Sequence, residues 1–99
     1  MNTEPLNPGI LVLKGEFTQD NTHEFRQLLS EFAEDNKHID LDVSLITFFD
    51  SASLGVLVAF NRILKEVGGS VRIINPKPYL KTLFALTNLD KHFQIIETP

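Results

Sequence analysis

Phe48-Phe49-Asp50-Ser51-Ala52-Ser53-Leu54-Gly55 joins two different patterns. Upstream, Ile39, Leu41 and Val43 alternate with Asp40, Asp42 and Ser44, the period of a half-buried strand that starts near His38. Downstream, apolar residues recur at helical spacing to Val67, and Gly68-Gly69 supplies a helix stop. Leu45 to Phe49 reads as an apolar connection between strand and helix. The helix then starts at Ser51 or Ser53, where the first backbone N–H groups are unpaired and carry partial positive charge. A serine hydroxyl stands there beside Asp50, at the surface. A phosphate on it adds a charge of about −1.5 to −2 and strong acceptor oxygens, so the stretch reads as a switch. The rival reading is a plain helix cap, with Asp50 or Ser51 accepting from N–H groups two or three residues on. The two readings are compatible, because a capping side chain is also accessible.

The flanking sequence repeats the alternation of strand and helix. Ile10-Leu11-Val12-Leu13, closed by Gly15, is a short apolar run of the kind that forms a buried strand. Asn7-Pro8-Gly9 is a turn signal, across which Asn2 to Leu6 can pair back as an edge strand. Asn21 and Glu24 have capping-box spacing, and Phe25, Leu28, Leu29 and Phe32 form one apolar stripe of a helix ending near Asn36. After the central helix, Val71, Ile73 and Ile74 form a strand. Asn75-Pro76-Lys77-Pro78 turns into a short helix through Leu86, with Pro78 at a first helical position. Asn88 ends that helix, and His92 to Ile96 is the last strand. One α/β domain over residues 1–99 follows from this order and from the length of 99 residues.

The central helix is apolar around most of its circumference. Leu54, Leu57, Val58 and Leu64 mark one face; Val56, Phe60, Ile63 and Val67 mark a second. Such a helix is either deeply buried or covers a partner.

Composition narrows the function. The net charge is −4 and no segment concentrates Lys and Arg, which argues against nucleic acid as a partner. There is no cysteine, hence no disulfide, thiolate catalysis or cysteine-rich zinc site, and a cytoplasmic location fits. Met1 to Gly9 lacks the pattern of a signal peptide, and no apolar run approaches the roughly 18–20 residues of a membrane span. His23, His38 and His92 are scattered without metal-ligand spacing. G-x-S-x-G, G-x-G-x-x-G and Walker patterns are missing. Asp20, Asp40, Asp42 and Asp50 read as solvated or turn residues. The expectation is a binding protein without metal or cofactor, not an enzyme.

Leu41-Asp42-Val43-Ser44 followed by Ile46-Thr47-Phe48-Phe49-Asp50-Ser51-Ala52-Ser53-Leu54-Gly55 resembles the STAS domain of bacterial anti-anti-sigma factors, also called anti-sigma factor antagonists. Gly15-Glu16-Phe17, Asn75-Pro76 and Leu86-Thr87-Asn88-Leu89-Asp90-Lys91-His92-Phe93 resemble further motifs of that family in the right order, so the likeness runs from about Ile10 to Glu97. The resemblance implies a mixed central sheet with helices packed on it. It implies that Ser51 is phosphorylated by a kinase-type anti-sigma factor, that the unmodified protein binds this kinase and frees a sigma factor, and that a serine phosphatase resets the switch. Thr18, Asp50, Ser51, Ala52, Ser53, Leu54 and Gly55 would then form the partner-binding surface. The chain departs from the family pattern at Thr18, where aspartate is usual, and at Leu45 and Ser53, each in place of glycine; Ala52 replaces a second hydroxyl residue. Ser53 offers an alternative hydroxyl for phosphorylation.

Two other readings remain open at the level of sequence. Similar STAS proteins serve as constitutive binding subunits of an ABC-type lipid-transport or signalling assembly, in which Ser51 would be only a cap and the apolar helix the contact. A ligand-sensing or nucleotide-binding domain would use Thr18, Asp50 and Ser51 around a shallow site, although no phosphate loop accompanies them.

Overall fold

A computed structural model describes residues 9–98, together with the backbone of residues 2–7. The elements follow the order β1 (Asn2–Asn7), β2 (Ile10–Phe17), α1 (Thr22–Ala33), β3 (His38–Phe49), α2 (Ser51–Glu66), β4 (Ser70–Ile74), α3 (Pro78–Leu86) and β5 (Gln94–Ile96), with short 3-10 turns at Gln19–Asn21 and Leu89–Lys91. They form one five-stranded sheet in the order β1-β2-β3-β4-β5. β1 runs antiparallel to β2, and the remaining pairs are parallel. The sheet is therefore mixed, as the family likeness implies, and the edge strand across from β2 is present. Pro5 is tolerated because β1 lies at the sheet edge. The Asn7-Pro8-Gly9 turn includes Pro8, which lies outside the described residues.

Each parallel step moves the same way across the sheet, so right-handed crossovers place α1 and α2 on a common face, where they pack together. Alternation in β3 sends Ile39, Leu41 and Val43 into the core, while Asp40 and Asp42 take the other face. There Arg72 of β4 meets Asp40 through two hydrogen bonds of 2.7 and 2.6 Å. The core joins Leu11 and Leu13 to Phe25 and Leu29 of α1, Leu57 and Leu64 of α2, and Leu80 and Phe84 of α3.

Three local expectations are corrected. Leu45 to Phe49 is not a connection but the second half of β3, paired with β2 from Lys14↔Leu45 to Phe17↔Phe49. Register shifts in that pairing account for the misreading, because they break strict alternation. The first shift coincides with Asp42, whose Oδ1 accepts from the Ser44 N–H at 3.0 Å and the Ser44 hydroxyl at 2.7 Å. Second, the capping box is made by Thr18 and Asn21, not Asn21 and Glu24. Thr18 Oγ1 accepts from the Asp20 N–H, and Asn21 Oδ1 accepts from the Thr18 N–H. Third, α1 ends at Ala33, and the Asn36 side chain donates back to the Phe32 carbonyl. The helix stop at Gly68-Gly69 forms as read. Gly68 takes φ +81°, and the Gly69 N–H donates to the Leu64 carbonyl at 2.8 Å. Asn88 likewise takes the left-handed conformation at φ 60°.

α1 resolves the question of the doubly apolar helix. It covers Val56 and Phe60 of the second face, while Ile63 and Val67 remain 61% and 57% exposed. Among the described residues no helix is long and apolar enough to cross a membrane.

Candidate functional site

The N-terminus of α2 rests on three phenylalanines. Phe17 ends β2, Phe49 ends β3 and Phe25 lies in α1. Phe17 and Phe25 have ring centroids 4.9 Å apart, and both lie 6.1 Å from Phe49. Offset and edge-on contacts of this kind add to the burial of large apolar area. They fix the backbone one residue before Asp50.

Asp50 is the cap of α2. Its N–H donates to the Phe17 carbonyl at 3.2 Å, and its own carbonyl accepts from the Leu54 N–H. Oδ1 accepts from the Ser53 N–H at 2.9 Å, and Oδ2 from the Gln19 N–H at 2.8 Å. One carboxylate thus ties the helix start to the loop after β2, bringing the Thr18 loop to Ser51. The Ser53 N–H, seconded by that of Gln19, holds the carboxyl below its ordinary value and keeps it charged. The same loop is fastened by Asn21 Nδ2, which donates to the Glu16 carbonyl at 2.9 Å.

Because Asp50 does the capping, Ser51 is left as the first helical residue with an exposed side chain. Of the two cap candidates, Asp50 and Ser51, the structure selects Asp50. Ser53 lies two residues further round the helix and is 0% exposed. Its hydroxyl has no hydrogen-bond partner among the described residues, although it lies close enough to Asp50 to favour the charged carboxylate. Ala52 is half-buried and Leu54 buried, so neither presents much surface. Gly55 is exposed, and a Cβ built there would meet nothing within 4 Å. The fold itself gives no reason for glycine at this position. Thr18 is half-buried and occupied with its own loop.

The presented surface is thus Ser51 and Gly55, with Ala52 and Thr18 at its margin. Phe48 extends it in a way that sequence reading missed. Within β3, Phe49 points inward and Phe48 outward. Phe48, Tyr79, Leu83 and Leu86 line an open groove of about 380 Å³, together with Thr47 and with Phe49, the residue before Asp50. Leu86 is 78% exposed. The available signal was the Phe48-Phe49 pair itself, since two successive strand residues cannot both face the core. Among the described residues no group of His, Cys, Asp and Glu could hold a metal ion.

The family model described as "Mlab, STAS domain" matches residues 2–97. A Thermotoga neapolitana protein provisionally named an anti-sigma factor antagonist is 31% identical over 91 residues, covering 90% of this chain and 80% of that protein. Among solved structures, a Thermotoga maritima protein with the same provisional name superposes with a TM-score of 0.79 at 23% identity, over 99% of this chain and 86% of the other. The Bacillus cell fate determinant SpoIIAA in its phosphorylated form superposes with a TM-score of 0.73 at 22% identity, over 99% and 90%.

Proposed function

The chain belongs to the STAS-domain family, and from that premise we propose that it is an anti-sigma factor antagonist switched by phosphorylation of Ser51. The observation that carries the reading is the contrast of two hydroxyls within one helical turn: Ser51 is exposed and free of the cap, whereas Ser53 is buried. The Thermotoga relatives supply the regulatory role by their names, and the phosphorylated form of SpoIIAA supplies a precedent on the same fold.

The mechanism follows from the charges. The unmodified protein offers a small, largely neutral contact at Ser51 and Gly55, flanked by the apolar groove beside Phe48. A kinase-type anti-sigma factor docks there and releases its sigma factor. It then transfers the terminal phosphoryl group of ATP to the Ser51 Oγ, with the serine proton lost and ADP leaving. The product carries about two negative charges at pH 7 next to the ionised Asp50. Like charges crowded at a desolvated contact oppose rebinding. A serine phosphatase restores the hydroxyl. The chain contributes the acceptor and the docking surface, and the chemistry belongs to its partners.

The test is the affinity of the full chain and its Ser51 variants for the ATP-dependent anti-sigma factor of the native host. Ser51→Ala keeps binding and blocks phosphorylation; Ser51→Asp weakens binding by a factor of about 100 or more. Equal binding by Ser51→Asp would contradict the switch.

A second reading, a constitutive STAS binding subunit of an ABC-type assembly with α2 as the contact, is supported by the apolar Ile63 and Val67 that α2 leaves exposed. Capture of a transporter ATPase, with equal efficiency by wild type and Ser51→Asp, would select it.

A further inference from the structure

Arg62, Lys65 and His92 converge on one cleft, although nothing in the sequence concentrates basic residues. The cleft lies between the C-terminal half of α2 and the segment before β5, and has a volume of about 280 Å³. Val58, Leu89 and Phe93 form its apolar wall, and no carboxylate lines it. In a chain of net charge −4, that is a local reversal of sign. The ion pairs among the described residues are Arg72–Asp40 and Lys81–Glu97, so neither Arg62 nor Lys65 is taken up by one. Lys65 Nζ lies 3.4 Å from the His92 carbonyl, at the cleft rim.

Asn61 provides the second, independent observation. It lines the same cleft, is only 6% exposed, and its Oδ1 has no hydrogen-bond donor among the described residues. Exchange of the amide oxygen and nitrogen would leave the same buried group under-used. An unpaired buried amide is costly, and an apolar residue of similar size would avoid the cost. The position therefore holds hydrogen-bonding capacity that the fold does not consume.

We propose that this cleft binds a small organic anion. Its carboxylate or phosphate meets Arg62 and Lys65, its apolar body lies against Val58, Leu89 and Phe93, and a hydroxyl on it hydrogen-bonds the side-chain amide of Asn61. At 1.5 Å rise per residue, Asn61 is about 15 Å along α2 from Ser51. The site is thus separate from the serine surface and does not depend on the role given to Ser51.

The experiment is a titration of the full-length 15N-labelled chain, followed by backbone amide shifts. Three probes are used: 4-hydroxyphenylacetate, which has carboxylate, ring and hydroxyl; phenylacetate, which lacks the hydroxyl; and tyramine, which replaces the carboxylate with a cation. The expected result is saturable shifts confined to residues 58–65 and 89–93 with the first probe. Binding of phenylacetate is about tenfold weaker, and tyramine gives no saturable shift. Arg62→Gln and Lys65→Gln, both at exposed positions, each weaken the first probe about tenfold. Asn61→Leu brings the two acids to equal affinity. The proposal is overturned if neither acid saturates, if tyramine binds as well as the acids, or if folded Arg62→Gln and Lys65→Gln proteins bind unchanged.

Discussion

The two ends of α2 are built on opposite terms. At the N-terminus the carboxylate and the loop side chains are used, with the buried Ser53 hydroxyl as the exception. Asp50 satisfies Ser53 and Gln19, the Thr18 and Asn21 side chains satisfy their own loop, and Ser51 alone is left over at the surface. Toward the C-terminus polar capacity is left unspent: Asn61 is buried without a partner for its Oδ1, and two cations share a cleft without a carboxylate. A spent network makes a rigid platform for one exposed hydroxyl. An unspent one is suited to receiving a ligand. The same helix thereby carries the surface proposed for modification and the cleft proposed for a ligand.

Substitutions at the two ends of α2 test this contrast. The largest effect is expected beneath the platform: Phe25→Ala removes a fully buried ring in contact with Phe17 and Phe49 and costs about 3–5 kcal/mol in urea unfolding. A smaller and opposite effect is expected at the unspent end. Asn61→Leu relieves an unpaired amide and raises stability by about 1 kcal/mol; a loss of more than that would mean the amide is already satisfied. Gly55→Ala adds a methyl where nothing lies within 4 Å and removes a helix-weakening glycine. It should stabilise by about 0.5–1 kcal/mol while weakening the partner complex. Stabilisation without any loss of binding would take Gly55 out of the interface. Ser51→Ala, at an exposed position outside the cap, should change stability by less than about 0.5 kcal/mol.

Acid tests the platform separately. The Asp50 carboxyl is lowered from 3.8 in the folded state, so its contribution is fully present above that pH and is lost as pH falls through the lowered folded value. Asp50→Asn should therefore be less stable than wild type at neutral pH, with the gap closing below pH 3.8. A gap that persists unchanged in acid would mean the carboxylate charge is not what holds the cap.

The fold was largely legible because its signals are local. Alternation in Ile39–Val43, the stripe from Phe25 to Phe32 and the Gly68-Gly69 stop each report on neighbouring residues in the chain. The second half of β3 was hidden because register shifts disrupt its period. At the site, the serine and its aspartate were visible as a helix start, but which residue caps and which hydroxyl is buried depends on the Gln19 loop, 31 residues away from Asp50. The cleft was invisible for the same reason. Arg62 and His92 meet only once β5 is laid beside β4.

The most direct test of the central claim is phosphosite mapping by mass spectrometry on the folded protein purified from its native host, with and without phosphatase treatment. A single phosphatase-sensitive phosphate on Ser51 and none on Ser53 is expected. Phosphate on Ser53, or an unmodified chain under every growth condition in which its partner is expressed, would contradict it.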